Sequence, residues 1–114
     1  MKGLISKNNA PQYEWGGNCL SWVLNDTPGL SVKQELMPAG AREQLHYHKH
    51  ANQFFYVLSG VATFYIEDKV IQVGTHEGIH IKSSQKHLVV NESTGPIEFL
   101  VISQPSTHND RIQV

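Results

Sequence analysis

A single cysteine, Cys19, is all the thiol chemistry this chain of 114 residues contains, so an internal disulfide framework is excluded. Helical patterning is missing as well: nothing before His46 repeats at i, i+3, i+4 spacing for long enough to form a helix. No apolar run approaches the length of a membrane span. The stretch from Met1 to Asn9 carries Lys2 and Lys7 but no apolar segment of the signal-peptide kind, so a cytoplasmic location is expected. Basic runs are absent too. Nine Lys and Arg stand against ten Asp and Glu, for a net charge of −1 and a pI of about 6.6. That balance argues against nucleic acid and against an anionic membrane as partners, and leaves a small molecule as the expected one.

What the chain does have is turn chemistry at short, even intervals, and seven histidines. Its length suits one domain with a core of its own. Leu4 and Ile5 read as a short leading strand, followed by breaks at Lys7–Pro11 and Gly16–Asn18. Cys19–Leu24 reads as a strand, Asn25–Gly29 as the strongest turn, and Leu30–Met37 as a strand ended by Pro38 and Gly40. Further strands are expected over Gln53–Leu58, Val61–Ile66, Lys69–Val73, Ile79–Ile81, His87–Val90 and Ile97–Ile102, with a polar tail from Gln104 to Val114. The pattern predicts an all-β fold, a double-sheet jelly roll, with N-terminal strands in residues 1–29, the barrel in residues 30–103 and the tail in residues 104–114.

The chemistry gathers in GAREQLHYHKHANQFFYVLSG, Gly40 to Gly60. Side chains two apart on an extended strand share a face, so His46 and His48 aim at one point while Tyr47 faces away. Gln53 follows after a break of about four residues and brings a side-chain oxygen to the same point if its strand runs back antiparallel to the first. His87 is the expected fourth ligand. Imidazole is the commonest metal ligand, and this set predicts one divalent ion, with Zn, Ni, Mn and Fe all open. His50 has the right parity but lies where the strand should turn; it reads as a loop residue, and His76, His80 and His108 read as surface residues.

In spacing, Gly40, His46, His48, Gln53 and Gly60 fall on every position of the first motif of the cupins, and the chain resembles that family from about Leu30 to Ser103. The second cupin motif, Pro-x-Gly-x-x-His followed by three residues and Asn, is matched by His87 and Asn91, while Lys82 and Ser84 stand at its Pro and Gly positions. Cupins usually carry Glu where this chain has Gln53. Three imidazoles and an amide leave the 2+ charge of an ion uncompensated, which strengthens it as a Lewis acid. Some small cupins with Gln in this slot are similar, among them enzymes that open the ring of unsaturated uronates and some polyketide cyclases. The resemblance also implies a homodimer.

If the strand before His48 is regular, parity places Arg42 and Gln44 on the inward face with His46, where a guanidinium would meet a substrate carboxylate; if its start is bulged, Arg42 is a surface charge. Phe55 and Phe99, with Val57, Val89 and Val101, are expected to face inward and make a mostly apolar pocket. Trp22, Tyr56, Phe64 and Tyr65 read as core or dimer-interface aromatics. No Asp or Glu lies on the inward parity beside His46, His48 or His87. Three functions remain open at this point. The first is a Lewis-acid enzyme of isomerase, cyclase or lyase type acting on a sugar acid, keto acid or polyketide; the second is a non-haem iron dioxygenase; the third is a non-catalytic ligand-binding protein.

Overall fold

The computed structural model describes residues 3–114; Met1 and Lys2, part of the N-terminal stretch considered above, lie outside the described residues. Eleven strands follow one another: β1 Gln12–Trp15, β2 Cys19–Thr27, β3 Leu30–Met37, β4 His46–Tyr47, β5 Asn52–Ser59, β6 Ala62–Ile66, β7 Lys69–Val73, β8 Gly78–Ile81, β9 His87–Val90, β10 Ile97–Gln104 and β11 Ile112–Gln113. They form two antiparallel sheets, one in the order β1-β2-β3-β10-β5-β8 and the other in the order β11-β4-β9-β6-β7, and no helix occurs among the described residues. This is the all-β, two-sheet jelly roll that the alternation predicts.

Alternation along β5 shows why the sheets face each other. Gln53, Phe55 and Val57 are buried while Phe54, Tyr56 and Leu58 are half-buried on the outer side. Phe55 packs against Phe64 of the other sheet at 5.0 Å between ring centroids and against Phe99 at 5.7 Å, and Met37, Val57, Ala62 and Ile97 fill the space around them.

Two local expectations change. Leu4 and Ile5 form no strand and are exposed. Asn9 ties this segment to itself, accepting the Ser6 N–H at 2.8 Å and donating to the Leu4 carbonyl at 3.0 Å, and such local bonds compete with strand pairing. The leading strand is β1 instead. In the β2–β3 hairpin, Asn25 and Asp26 belong to the ladder because the register shifts between Val23 and Asn25, so the turn is made by Pro28 and Gly29. The tail is structured, since β11 adds a strand to the five-stranded sheet beside β4.

The two motif glycines have a backbone reason. Gly40 and Gly60 have φ of +83° and +89°, and a Cβ on Gly60 would lie 2.8 Å from Ile97 Cγ2 and 3.0 Å from the Pro96 carbonyl oxygen. Asn91 of the second motif is a clamp. Its buried Nδ2 donates to the Met37 and Gly95 carbonyls, both at 2.9 Å, and its Oδ1 accepts from Ser93.

Candidate metal centre

His46 and His87 face each other across the β4–β9 ladder, and His48 lies just past the end of β4. Their imidazoles meet inside the barrel, with ring centroids 4.4 Å apart for His46 and His87, 5.0 Å for His46 and His48, and 5.5 Å for His48 and His87. One ring nitrogen from each lies within 4.8 Å of the others. Gln53 does not reach them through a hairpin. β4 and β5 belong to different sheets, so Gln53 comes from the opposite wall, where it pairs with Ser103 and Ile81.

Each imidazole is oriented by a backbone carbonyl. His46 Nδ1 bonds the Gln44 oxygen at 2.7 Å, His87 Nδ1 the Gln85 oxygen at 2.8 Å and His48 Nδ1 the Asp110 oxygen at 2.6 Å. A carbonyl only accepts, so each Nδ1 carries the proton and each Nε2 presents a lone pair to the interior. Gln53 Nε2 donates to Ser103 Oγ at 3.0 Å. Nε2 of His48 and of His87 and Oε1 of Gln53 are buried with no hydrogen-bond partner. Four orphaned or convergent donors of this kind cost free energy unless something binds them, and three imidazoles with an amide oxygen suit a divalent transition metal. Burial lowers His46 to about 3 and His87 to about 4, against the pull of their carbonyl partners, and it lowers His48 as well. The rings are therefore neutral, ready to ligate, at physiological pH.

The site opens on a cavity of about 1240 Å³ walled by Phe55, Leu88 and Val101 among apolar residues and by several charged ones. Of the residues expected there, Phe55 is in the wall, whereas Phe99 is fully buried in the core beneath it. Arg42 and Gln44 stand exposed at the rim. The parity behind their inward placement fails because residues 42–45 form no regular strand; an isolated bridge from Arg42 to Val90 and a backbone bond from the Glu43 N–H to the Val89 carbonyl at 3.0 Å hold them to β9 without a continuous ladder. Glu43 turns in instead. Its side chain is 10% exposed, Oε1 accepts the Val89 N–H at 3.1 Å, and Arg111 Nη1 lies 3.8 Å from Oε2. Burial, reinforced by the charge of Glu35, pushes Glu43 up to about 7.

Three more cavity or support residues escaped the sequence reading. Glu35 is buried, held by the Ser21 hydroxyl, and raised above the usual carboxylate range chiefly by burial; the alternation Ser31, Lys33, Glu35, Met37 along β3 was the signal for it. Arg111 reaches the cavity from the tail. Asp110 accepts the Lys49, His50 and Ala51 N–H groups at 2.7, 3.0 and 2.9 Å. His50 is an exposed loop residue, as are His76 and His108, and His80 stacks on Phe54 on the outer face of the sheet at 4.7 Å.

Comparison with known proteins agrees with this geometry. An uncharacterized protein of Methanocaldococcus jannaschii is 25% identical over 105 residues, covering 88% of this chain and 84% of that one. Among solved structures, KdgF from Halomonas sp. superposes with a TM-score of 0.84 at 14% identity, covering 93% of this chain and 97% of that one. A predicted oxalate decarboxylase from Thermotoga maritima gives 0.83 at 16% identity, covering 90% and 99%. At these identities the structural likeness establishes the fold. The profile of the cupin domain family matches residues 32–103, more than half of the chain and the whole span that carries the histidine cluster, and the chain therefore belongs to the cupin family.

Proposed function

We propose that this chain is a metal-dependent enzyme that acts on a small oxygenated anion, such as a sugar acid or keto acid, by isomerase, cyclase or lyase chemistry. The observation that carries this reading is the convergence of three carbonyl-oriented imidazoles beside a large cavity, with Nε2 of His48 and of His87 and Oε1 of Gln53 buried and without hydrogen-bond partners. His46, His48 and His87 would hold one divalent ion, Zn, Ni, Mn or Fe, with Gln53 as a neutral fourth ligand. When bound, such an ion supplies Lewis-acid polarisation of a substrate oxygen, with no carboxylate ligand to offset its charge.

The chain's own residues select the substrate. Lys33, Arg42 and Arg111 put three cationic side chains on the cavity wall against the two carboxyls of Glu35 and Glu43, and both carboxyls have a raised affinity for protons. The balance favours an anion, and Arg111 offers its guanidinium to a carboxylate. Phe55, Leu88 and Val101 exclude water from one side of it. The name of one structural relative, a predicted oxalate decarboxylase, points in the same direction, toward small carboxylates. A dioxygenase of the two-histidine, one-carboxylate type has no support from this ligand set, because the fourth donor is an amide.

Elemental analysis tests the reading on protein purified without chelator or affinity-tag metal, comparing wild type with His46→Ala and His87→Ala. Stoichiometric divalent metal in the wild type, lost in both variants, is the expected result. Wild type that stays empty after divalent ions are added back would refute it.

A further inference from the structure

Lewis-acid chemistry on a carbonyl compound needs a group that moves protons, and Glu43 is placed to be one. It lies three residues before His46 on the irregular approach to β4 and lines the same cavity as His46, His48 and Gln53. Oε1 is occupied by the Val89 N–H. Oε2 is ion-paired with Arg111, at 3.8 Å from Nη1, a distance too long for a direct hydrogen bond, so a substrate proton would meet this oxygen beside the guanidinium. A second carboxyl, Glu35, lines the cavity from the opposite sheet, with one oxygen bonded to the Ser21 hydroxyl.

We propose that Glu43 is the general acid/base of this site. The inference rests on the metal-site reading above. The substrate class is a carboxylate with a C–H bond next to a carbonyl, whose oxygen would meet the ion that the three histidines would hold. Glu43 takes the proton from that carbon. The C–H electron pair becomes a carbon–carbon π bond, and the carbonyl π pair moves onto oxygen. Glu43 then returns the proton to the neighbouring carbon or oxygen, so no electrons are gained or lost and the carboxylate is regenerated.

The surroundings tune this group. Burial and the charge of Glu35 raise its proton affinity, whereas Arg111 and the Val89 N–H lower it. The Cys19 thiol of β2, itself pushed up to about 11 mainly by burial, adds no charge at neutral pH. The outcome, about 7 for Glu43, lies where a general base is most effective at physiological pH.

Infrared difference spectra across a pH titration of the holoprotein read the proton directly. A protonated-carboxyl band with a midpoint near neutrality should be present in the wild type and absent in Glu43→Gln, with the midpoint falling in Glu35→Gln and rising in Arg111→Met. Deuterium incorporation from heavy water into pyruvate, 2-oxoglutarate and galacturonate, followed by proton NMR, reads the function. Wild type should exchange at least one of the three, and Glu43→Gln should slow that exchange by about a hundredfold with stoichiometric metal retained. A near-neutral carboxyl band of unchanged intensity in Glu43→Gln, exchange undiminished in that variant, or no exchange by the wild type overturns the proposal. Failure of the metal-site reading would be seen separately, as wild-type protein that binds no metal.

Discussion

The Gln53 amide donates through Nε2 to Ser103 Oγ at 3.0 Å, and its Oε1 is buried without a hydrogen-bond partner. A carboxylate in this position would accept from the same hydroxyl and add a negative charge beside any bound cation. Gln53→Glu should therefore tighten divalent-metal binding, on the order of tenfold, in chelator-competition titrations. The same charge would oppose an anionic substrate, so turnover should fall while metal content rises. Unchanged affinity and unchanged rate would show that Gln53 stays outside the ligand set. The pairing of His46 and His48 was legible in the sequence because their spacing is local and the strand period alone puts them on one face, whereas the route by which Gln53 comes near them, from the other sheet, was not. Glu43 was not legible, because parity extrapolated through residues 42–45 assumes a ladder that the chain does not make there.

At the scale of the element, the C-terminal segment is a strap over the site. β11 pairs with β4 through Ile112 with Tyr47 and Gln113 with His46. Asp110, just before it, pins the link between the sheets by taking three N–H donors on one carboxylate. Burial alone would raise the pKa of that group; the three donors outweigh it and hold Asp110 below the usual carboxylate range. Its carbonyl also orients His48. Asp110→Ala strands these donors and should cost about 2–4 kcal/mol in urea unfolding. It should also weaken metal binding more than Asp110→Asn, which keeps an acceptor. Equal metal affinity in both variants would mean that the strap supports the fold and not the site. Nothing near His46 announces this arrangement, since the partners lie some sixty residues apart and a polar tail has no period that reveals where it docks. The strands around it were readable because each alternates against the core on its own.

For the whole molecule, the buried charges of the cavity set the pH dependence of stability. The folded chain holds His46 at about 3 and His87 at about 4, with His48 lowered too, against 6.5 for an unperturbed imidazole. As pH falls below 6.5 the unfolded, metal-free chain therefore takes up protons that the folded one refuses, and stability is lost. Glu43 and Glu35 act with the opposite sign. Raised from 4.5, to about 7 in the case of Glu43, they protonate first in the folded chain, which gains stability as pH falls toward 4.5. The imidazoles and the carboxyls therefore pull the stability in opposite directions as pH falls from 6.5 toward 4.5. Removing one carboxyl changes that balance: Glu43→Gln should be more stable than wild type above pH 7 by on the order of 2–3 kcal/mol, and should lose the advantage as pH drops toward 4.5. Urea midpoints of chelator-treated protein at several pH values would measure both slopes. Parallel curves for wild type and Glu43→Gln would mean that Glu43 ionises in the folded chain as an ordinary carboxylate, whereas convergence at low pH is the signature of a buried carboxyl that shares the interior with three neutral imidazoles.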